Sequence, residues 1–302
     1  MPIDRTRRSL LAAALATVPV AACRSVDRHR QVHAESALAE LEGRNGGRLG
    51  VSILDTASGR ALGHRQDERF PMCSTFKFLA AAQVLARVDR GDERLDRRVV
   101  YARENLVPYS PVTGARAGMP GMTVAELCHA AVTVSDNTAG NLLLATLGGP
   151  AGLTAFTRTL GDTSTRLDRI ETDLNEAAAG DPRDTTTPAA MLGDMRALLL
   201  GDALLPPSRA QLAAWLVATT TGDERLRAGM PAGWRVGDKT GTSGNGATND
   251  IAIAWPPNRA PLLVSAYYAE SDMPQAQCNR VLAEVGRIAA GLVVSPRAPV
   301  AV

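Results

Sequence analysis

Two lysines stand apart in this chain, because every other basic side chain is an arginine. The 302 residues carry 33 cationic side chains, of which only Lys77 and Lys239 are lysines. A lysine can lose its proton when desolvated or set near another cation, whereas an arginine effectively cannot. A lysine kept in so arginine-biased a chain suggests a task that needs a tunable amine. Lys77 lies three residues after Ser74, in Ser74-Thr75-Phe76-Lys77. On a helix that spacing puts both side chains on one face, one turn apart. A hydroxyl beside a tunable amine is one recipe for an activated serine nucleophile. Taken alone, the same four residues equally describe a helix cap followed by a solvated lysine. Lys239 weighs against that plain reading. It opens Lys239-Thr240-Gly241, followed by Thr242, at the end of a predicted strand, and Ser135-Asp136-Asn137 sits at a break between two predicted helices. Each short motif is weak by itself, but three occur in order and the only two lysines fall in two of them.

These residues need elements to hold them. Ala34, Ala37, Leu38 and Leu41 recur at helical spacing and predict a helix over 34–41, ended by Gly43 and Gly46-Gly47. Residues 48–54 predict a strand, 55–59 a turn and 60–64 a second strand. From Ser74 the pattern turns helical, with glycine and proline breaks. The spacing predicts helices over 75–88, 124–134, 139–147, 152–160, 188–200 and 209–218. Between them, residues 164–187 lack periodicity and are rich in Asp, Thr and Arg. A loop that long inside a compact domain usually has a function. Strands return over 235–240, 248–255 and 261–268, and an amphipathic helix follows over 275–292. The expected fold is α/β plus all-α. An antiparallel sheet flanked by helices is built from both chain ends, with a helical domain inserted in the middle. The expected units are an α/β domain of residues 33–68 and 218–296 and an all-α domain of residues 69–217.

Composition narrows the function. Hydrophobic content of 45% and charged content of 21% describe an ordinary soluble protein with room for a large core. Net charge is +2, and the two signs balance once Asp4, Arg5, Arg7 and Arg8 are set aside. No basic stripe with interleaved aromatics is visible, so nucleic acid is not an expected partner. His29, His33, His64 and His129 form no pair at metal-ligand spacing, and no metal is expected. Cys23, Cys73, Cys128 and Cys278 are scattered and make no disulfide framework, though sequence leaves a pair between Cys128 and Cys278 open. Residues 1–22 read as an export signal, with Arg7-Arg8 ahead of the apolar run 9–22. Thr6-Arg7-Arg8-Ser9-Leu10-Leu11 resembles a twin-arginine signal, and Val20-Ala21-Ala22-Cys23 resembles a lipoprotein box with Cys23 as the lipidated residue. The other reading is a plain secretory signal with an incidental cysteine. Residues 23–32, polar and arginine-rich, read as a tether.

Ser-x-x-Lys, Ser-Asp-Asn and Lys-Thr-Gly together resemble class A serine β-lactamases, over nearly the whole mature chain. The middle loop adds Arg169-Ile170-Glu171-Thr172-Asp173-Leu174-Asn175, similar to that family's omega loop, here 166–184. Asp181-Pro182-Arg183-Asp184-Thr185-Thr186-Thr187-Pro188 resembles its exit, where Asp184 would pair with Arg169. Thr172 stands where many members carry proline. The likeness is nearest to Pen-type enzymes of proteobacterial chromosomes. It implies Ser74 as nucleophile, Lys77 and Glu171 as the two candidate acylation bases, and Ser135 as proton relay to the leaving nitrogen. It implies Ser74 and Thr242 N–H groups as the oxyanion hole. Asn137 would hold the substrate's side-chain amide, and Lys239, Thr240, Gly241, Thr242 and, less closely matched, Arg225 would meet its carboxylate. Glu171 and Asn175 would place the deacylating water, and Tyr109 would be the aromatic gatepost. Asp136, Arg169 and Asp184 would be structural.

The resemblance implies hydrolysis of penicillins and cephalosporins through a serine acyl-enzyme, giving antibiotic resistance. The expected protein is a periplasmic monomer with a small-molecule β-lactam as its partner and no cofactor. Two other functions stay in view: a penicillin-binding transpeptidase or carboxypeptidase acting on D-Ala-D-Ala peptide, and a β-lactam sensor that stays acylated. Glu171 with Asn175 favours the hydrolase over both. Some carbapenem-hydrolysing members bridge the residue before the nucleophile to one two residues after Lys-Thr-Gly. Cys73 occupies the first place here and Ser243 the second, so that bridge cannot form. Carbapenem turnover should therefore be weak beside that of penicillins and early cephalosporins, with oxyimino-cephalosporins left open. A kcat/KM for a carbapenem comparable to that for benzylpenicillin would contradict this expectation.

Overall fold

A computed structural model describes the backbone of residues 18–293 and the side chains of residues 32–293. The chain opens with α1 (Val18–Asn45), then β1 (Arg48–Asp55), β2 (Arg60–His64) and β3 (Phe70–Pro71). A 3-10 turn, Cys73–Thr75, leads into α2 (Phe76–Asp89). Next come β4 (Arg98–Val99), β5 (Met122–Thr123), α3 (Val124–Thr133), α4 (Asn137–Thr146) and α5 (Gly149–Thr159). β6 (Thr185–Thr186), α6 (Pro188–Leu199), α7 (Pro206–Val217) and α8 (Leu226–Gly229) follow. The chain then returns to β7 (Arg235–Thr242), β8 (Thr248–Trp255), β9 (Leu262–Ala269) and α9 (Gln275–Val293).

As expected, the main sheet is antiparallel and joins both chain ends, in the order β2-β1-β9-β8-β7. Every residue of β9 is buried, so this central strand is covered on both faces. Its tyrosines show the division: Tyr267 packs in one apolar core with Phe76 and Leu79, and Tyr268 in the other with Leu38 and Val285. Neighbours in a strand point to opposite faces, so one strand serves both cores. α1 and α9 cover one face, and α6 packs on β1 and β9. α2 is buried nearly all round, from Phe76 through Ala82 without a break, as a helix at the centre of a helical layer must be.

The helices begin and end where local chemistry dictates. α4 starts at Asn137, two residues ahead of the predicted start, because the Asp136 side chain caps it by accepting from the Ala139 N–H at 2.8 Å. α5 starts at Gly149 instead of 152, since Pro150 suits a first helical turn. β7 runs through Gly241 to Thr242, two residues past the predicted strand. α1 extends well ahead of the predicted 34–41, and residues 23–32, expected as a tether, lie in its helical backbone. Neither glycine nor proline, the strongest helix breakers, falls among them. Residues 1–17 of the expected export signal and the side chain of Cys23 lie outside the described residues. Cys73, Cys128 and Cys278 are buried free thiols, which closes the question of a Cys128–Cys278 pair.

Two short pairings matter for the site. β3 pairs with β6, and the Met72 N–H donates to the Asp184 carbonyl at 2.8 Å. The chain just before Ser74 is thereby stitched to the end of the long loop.

Candidate active site

Ser74 sits in the turn that opens α2, buried to 8% exposure, and the preceding Cys73 is held at a left-handed φ of 46°. Lys77, fully buried one turn on, brings Nζ to 2.9 Å from Ser74 Oγ. Five oxygens surround that amine. Besides Ser74 Oγ they are Asn137 Oδ1 at 2.6 Å, Glu171 Oε1 at 2.8 Å, Ser135 O at 2.9 Å and Ser135 Oγ at 3.4 Å. An ammonium has three protons, so five acceptors must share them. Burial lowers the Lys77 pKa, while Glu171 works in the opposite sense.

Glu171 arrives from the long loop. Ser74 Oγ donates to its Oε1 at 3.0 Å, and Asn175 Nδ2 donates to its Oε2 at 2.6 Å. Both carboxylate oxygens are therefore fixed, one toward the nucleophile. The Glu171–Thr172 peptide is cis. Asn141, which sequence reading missed, grips the Glu171 backbone from both sides. Its Nδ2 donates to Glu171 O and its Oδ1 accepts from Glu171 N, both at 2.8 Å. The available signal was helical spacing, since Asn141 lies four residues after Asn137 on α4.

Ser135 lies in the break between α3 and α4 at φ 59°, a left-handed conformation that turns its side chain to the cleft. Lys239 Nζ donates to Ser135 Oγ at 3.0 Å and to Thr240 O at 2.7 Å. This hydroxyl therefore stands between two amines. Burial and the nearby Lys77 charge hold the Lys239 pKa well below its usual range. Asp136 points away from the chemistry. It accepts from the Val112 and Thr113 N–H groups, both at 2.9 Å, and from Thr113 Oγ1 at 2.7 Å. That fixes the 107–113 segment, whose Tyr109 carbonyl accepts from Asn137 N at 3.0 Å. Tyr109 itself is 60% exposed at the rim.

β7 forms the facing wall as the edge strand. Ser243 N–H donates back to Ala247 O at 2.9 Å, which makes Thr242 the residue whose N–H points out from the free edge into the cleft. The first residues of a helical turn leave their N–H groups without partners inside it, so Ser74 offers a second such donor. Gly241 permits the approach: a Cβ there would lie 2.7 Å from Met72 O. Arg225 lies behind Thr242 and donates to its Oγ1 at 2.8 Å, to Gly241 O at 2.9 Å, to Asn249 O at 2.8 Å and to Asn279 Oδ1 at 3.0 Å. Thr221, passed over as a site residue, shares a 2.6 Å hydrogen bond with Thr240 and lines the cleft. The cleft holds about 380 Å³ among Ser74, Tyr109, Ser135, Asn137, Asn175 and the β7 threonines.

Arg169 and Asp184 close the loop, Nε to Oδ2 at 2.6 Å, and Arg169 also pairs with Glu176. Asp184 further accepts from the backbone N–H groups of Asp168 and Arg169, at 2.8 and 2.9 Å. Ser243 Oγ donates to Asn175 O at 2.7 Å and Asn245 Nδ2 to Glu176 O at 2.6 Å, tying the β7–β8 hairpin to the loop. Neither tie was expected from the sequence.

A nucleophile, two buried amines and a loop-borne carboxylate on this fold have close counterparts among known proteins. The model of the beta-lactamase enzyme family matches residues 33–293. Beta-lactamase AST-1 of Nocardia asteroides is 52% identical over 95% of this chain and 96% of its own. Beta-lactamase L2 of Stenotrophomonas maltophilia is 51% identical over 86% of each. Among solved structures, an ancestral (GNCA) class A beta-lactamase is 66% identical with a TM-score of 0.83, covering 84% of this chain and 98% of that one. The putative class A beta-lactamase PenP from Rhodopseudomonas palustris is 64% identical with a TM-score of 0.84, covering 86% and 99%. The chain belongs to the β-lactamase enzyme family, in its class A.

Asn141→Ala should leave the Glu171 N–H and C=O without their partner. One stranded buried group costs about 1–3 kcal/mol, so denaturant unfolding should report a loss of roughly that size or more, and penicillin turnover should slow. An unchanged midpoint and kcat would show that Asn141 does not hold Glu171.

Proposed function

We infer that this protein hydrolyses β-lactam antibiotics through an acyl-enzyme on Ser74 and so confers resistance. The observation that carries the reading is the double engagement of Glu171, bonded to the nucleophile through one oxygen and to Asn175 through the other. Ser74 Oγ attacks the lactam carbonyl carbon and gives its proton to Lys77 Nζ or Glu171, both within 3.0 Å. The N–H groups of Ser74 and Thr242 stabilise the oxyanion, where a preorganised donor is worth several kcal/mol, about 10²–10³ in rate. The ring nitrogen departs with the Ser135 proton, which the two flanking amines replace. The substrate carboxylate rests against Thr240, Thr242 and the Arg225 charge. Water held by Glu171 and Asn175 then gives Glu171 a proton and attacks the ester, and Ser74 leaves with its proton restored. A transpeptidase or a sensor has no use for a carboxylate so placed. Among the described residues no helix is long and apolar enough to cross a membrane, as a sensor's anchor would need.

The finer placement rests on sequence. The twin-arginine pair, the apolar run and Cys23 support export to the periplasm with a lipid on Cys23, and we read the enzyme as monomeric. A single acyl chain binds membranes only marginally, so stable anchoring needs more than one. Mass spectrometry of the mature N-terminus should find a lipidated Cys23. An unmodified terminus beginning beyond residue 23 would refute lipidation.

Glu171→Ala separates a hydrolase from a trap. General-base help is typically worth about 10²–10⁴-fold. The variant keeps Ser74, Lys77 and the oxyanion donors, so acylation should continue while deacylation nearly stops. Electrospray spectra with a penicillin should show a long-lived adduct, absent when Ser74 is also alanine and scarce in the wild type. Turnover by Glu171→Ala at close to the wild-type rate would overturn the role given to the loop.

A further inference from the structure

Away from the cleft, two buried carboxyl groups face each other at the start of the long loop. Asp162 is 7% exposed and Asp194, on α6, is 1% exposed. Their side chains lie within hydrogen-bonding reach of each other. The Oδ2 atom of each is buried and finds no hydrogen-bond donor among the protein's own groups. Asp162 Oδ1 is already committed, accepting from Ser164 N at 2.6 Å and Thr165 N at 3.0 Å. Two ionised carboxylates in such a setting repel and cannot bond, whereas one proton between them makes a charge-assisted O–H···O bond. We propose that Asp162 and Asp194 share one proton as an acid–carboxylate clasp, and that the clasp is a positioning unit for the loop that carries Glu171.

The clasp has a mechanical path to the site. Residues 162–166 form the leading limb of the loop and are strapped to its trailing limb. Thr165 Oγ1 bonds Thr186 Oγ1 at 2.6 Å, and Arg166 N donates to Thr185 O at 2.9 Å. Arg69 reaches both limbs, at Ser164 O (2.7 Å) and Thr185 Oγ1 (3.1 Å). Asp194 adds a link from the leading limb to α6, and α6 packs on β1 and β9. The charged or titratable groups facing Asp194 are Asp162 and Arg158 from the α5 side and Tyr267 from β9. Burial pushes the Asp194 carboxyl up to about 9, the Asp162 charge adds to this, and Arg158 opposes it. A carboxyl raised above its unfolded value of about 3.9 stabilises fully below that pH and loses its contribution as pH climbs through the folded value. The window of loss therefore runs from about pH 4 to about pH 9.

Asparagine can replace either partner and donate N–H without borrowing a proton. Thermal unfolding of wild type, Asp194→Asn and Asp162→Asn from pH 5 to pH 9.5 tests the clasp. The melting temperature of Asp194→Asn minus that of wild type should grow with pH, by about 10 °C or more across the range. Asp162→Asn should behave alike and stands in if Asp194→Asn fails to fold. A difference that does not change with pH overturns the shared proton. This arm needs no substrate, so it stands or falls apart from the hydrolase reading. The positioning role rests on that reading and is tested by the rate of deacylation of a penicillin acyl-enzyme against pH. Its alkaline decline should move to higher pH in Asp194→Asn with acylation unaltered, whereas coincident profiles would overturn the positioning role.

Discussion

The burial of the Lys77 amine is the constraint on which the rest of the site depends. A buried cation is tolerated only when its protons are satisfied, and removing one partner from a buried pair costs about 3–5 kcal/mol. Lys77 meets this demand with oxygens from three separate stretches: Ser74 beside it, Ser135 and Asn137 at the head of α4, and Glu171 on the long loop. The amine therefore cannot be satisfied unless α2, α4 and the loop are all in place. Lys239 adds the sheet through Ser135 Oγ. The amine that contacts Ser74 Oγ thus couples assembly of the site to folding.

The backbone bears part of the cost. Cys73, Tyr109, Ser135 and Asp184 all adopt left-handed φ, at 46°, 59°, 59° and 56°, and none is glycine. Such conformations cost of order 1–3 kcal/mol each and persist only where the surroundings over-determine them. Here each has a visible restraint. Met72 is bonded to the Asp184 carbonyl, and Asp184 in turn to Arg169 and two backbone N–H groups. Asp136 takes four hydrogen bonds beside Ser135 and fixes the segment of Tyr109. Asp136, Arg169 and Asp184 lie away from the nucleophile, yet they restrain the segments that present Ser74, Ser135 and Glu171.

This division explains what could be read from the sequence. Ser74 and Lys77 were legible because helical spacing alone places them together, and Lys239 because an arginine-biased chain exposes its lysines. The antiparallel sheet from both chain ends was legible because β1, β8 and β9 keep strand patterns between turn residues. Asn141 was not, because its spacing from Asn137 marks a shared helix face but not the backbone, thirty residues away, that it bonds. The ties from Ser243 and Asn245 to the loop were hidden for the same reason: they join two loops, and no local pattern records such a contact. Thr242 lay beyond the predicted strand because Gly241 reads as a strand breaker, whereas here it lets β7 pass close to Met72.

Arginine and lysine in the cleft differ in more than codon preference. Arg225 is buried behind Thr242, and its guanidinium is held by two carbonyls, an asparagine and a hydroxyl, with no carboxylate among its hydrogen-bond partners. Burial lowers its pKa and Asp250 opposes the shift, but a guanidinium starts so high that it stays charged at neutral pH. Its positive field toward Thr242 is therefore permanent, which suits a group that has only to receive an anion. Lys77 and Lys239 are held to either side of Ser135 with their pKa values drawn downward by burial, which favours release of a proton. Proton transfer needs variable charge and carboxylate binding needs fixed charge. On the proposed mechanism, lysine serves the first and arginine the second.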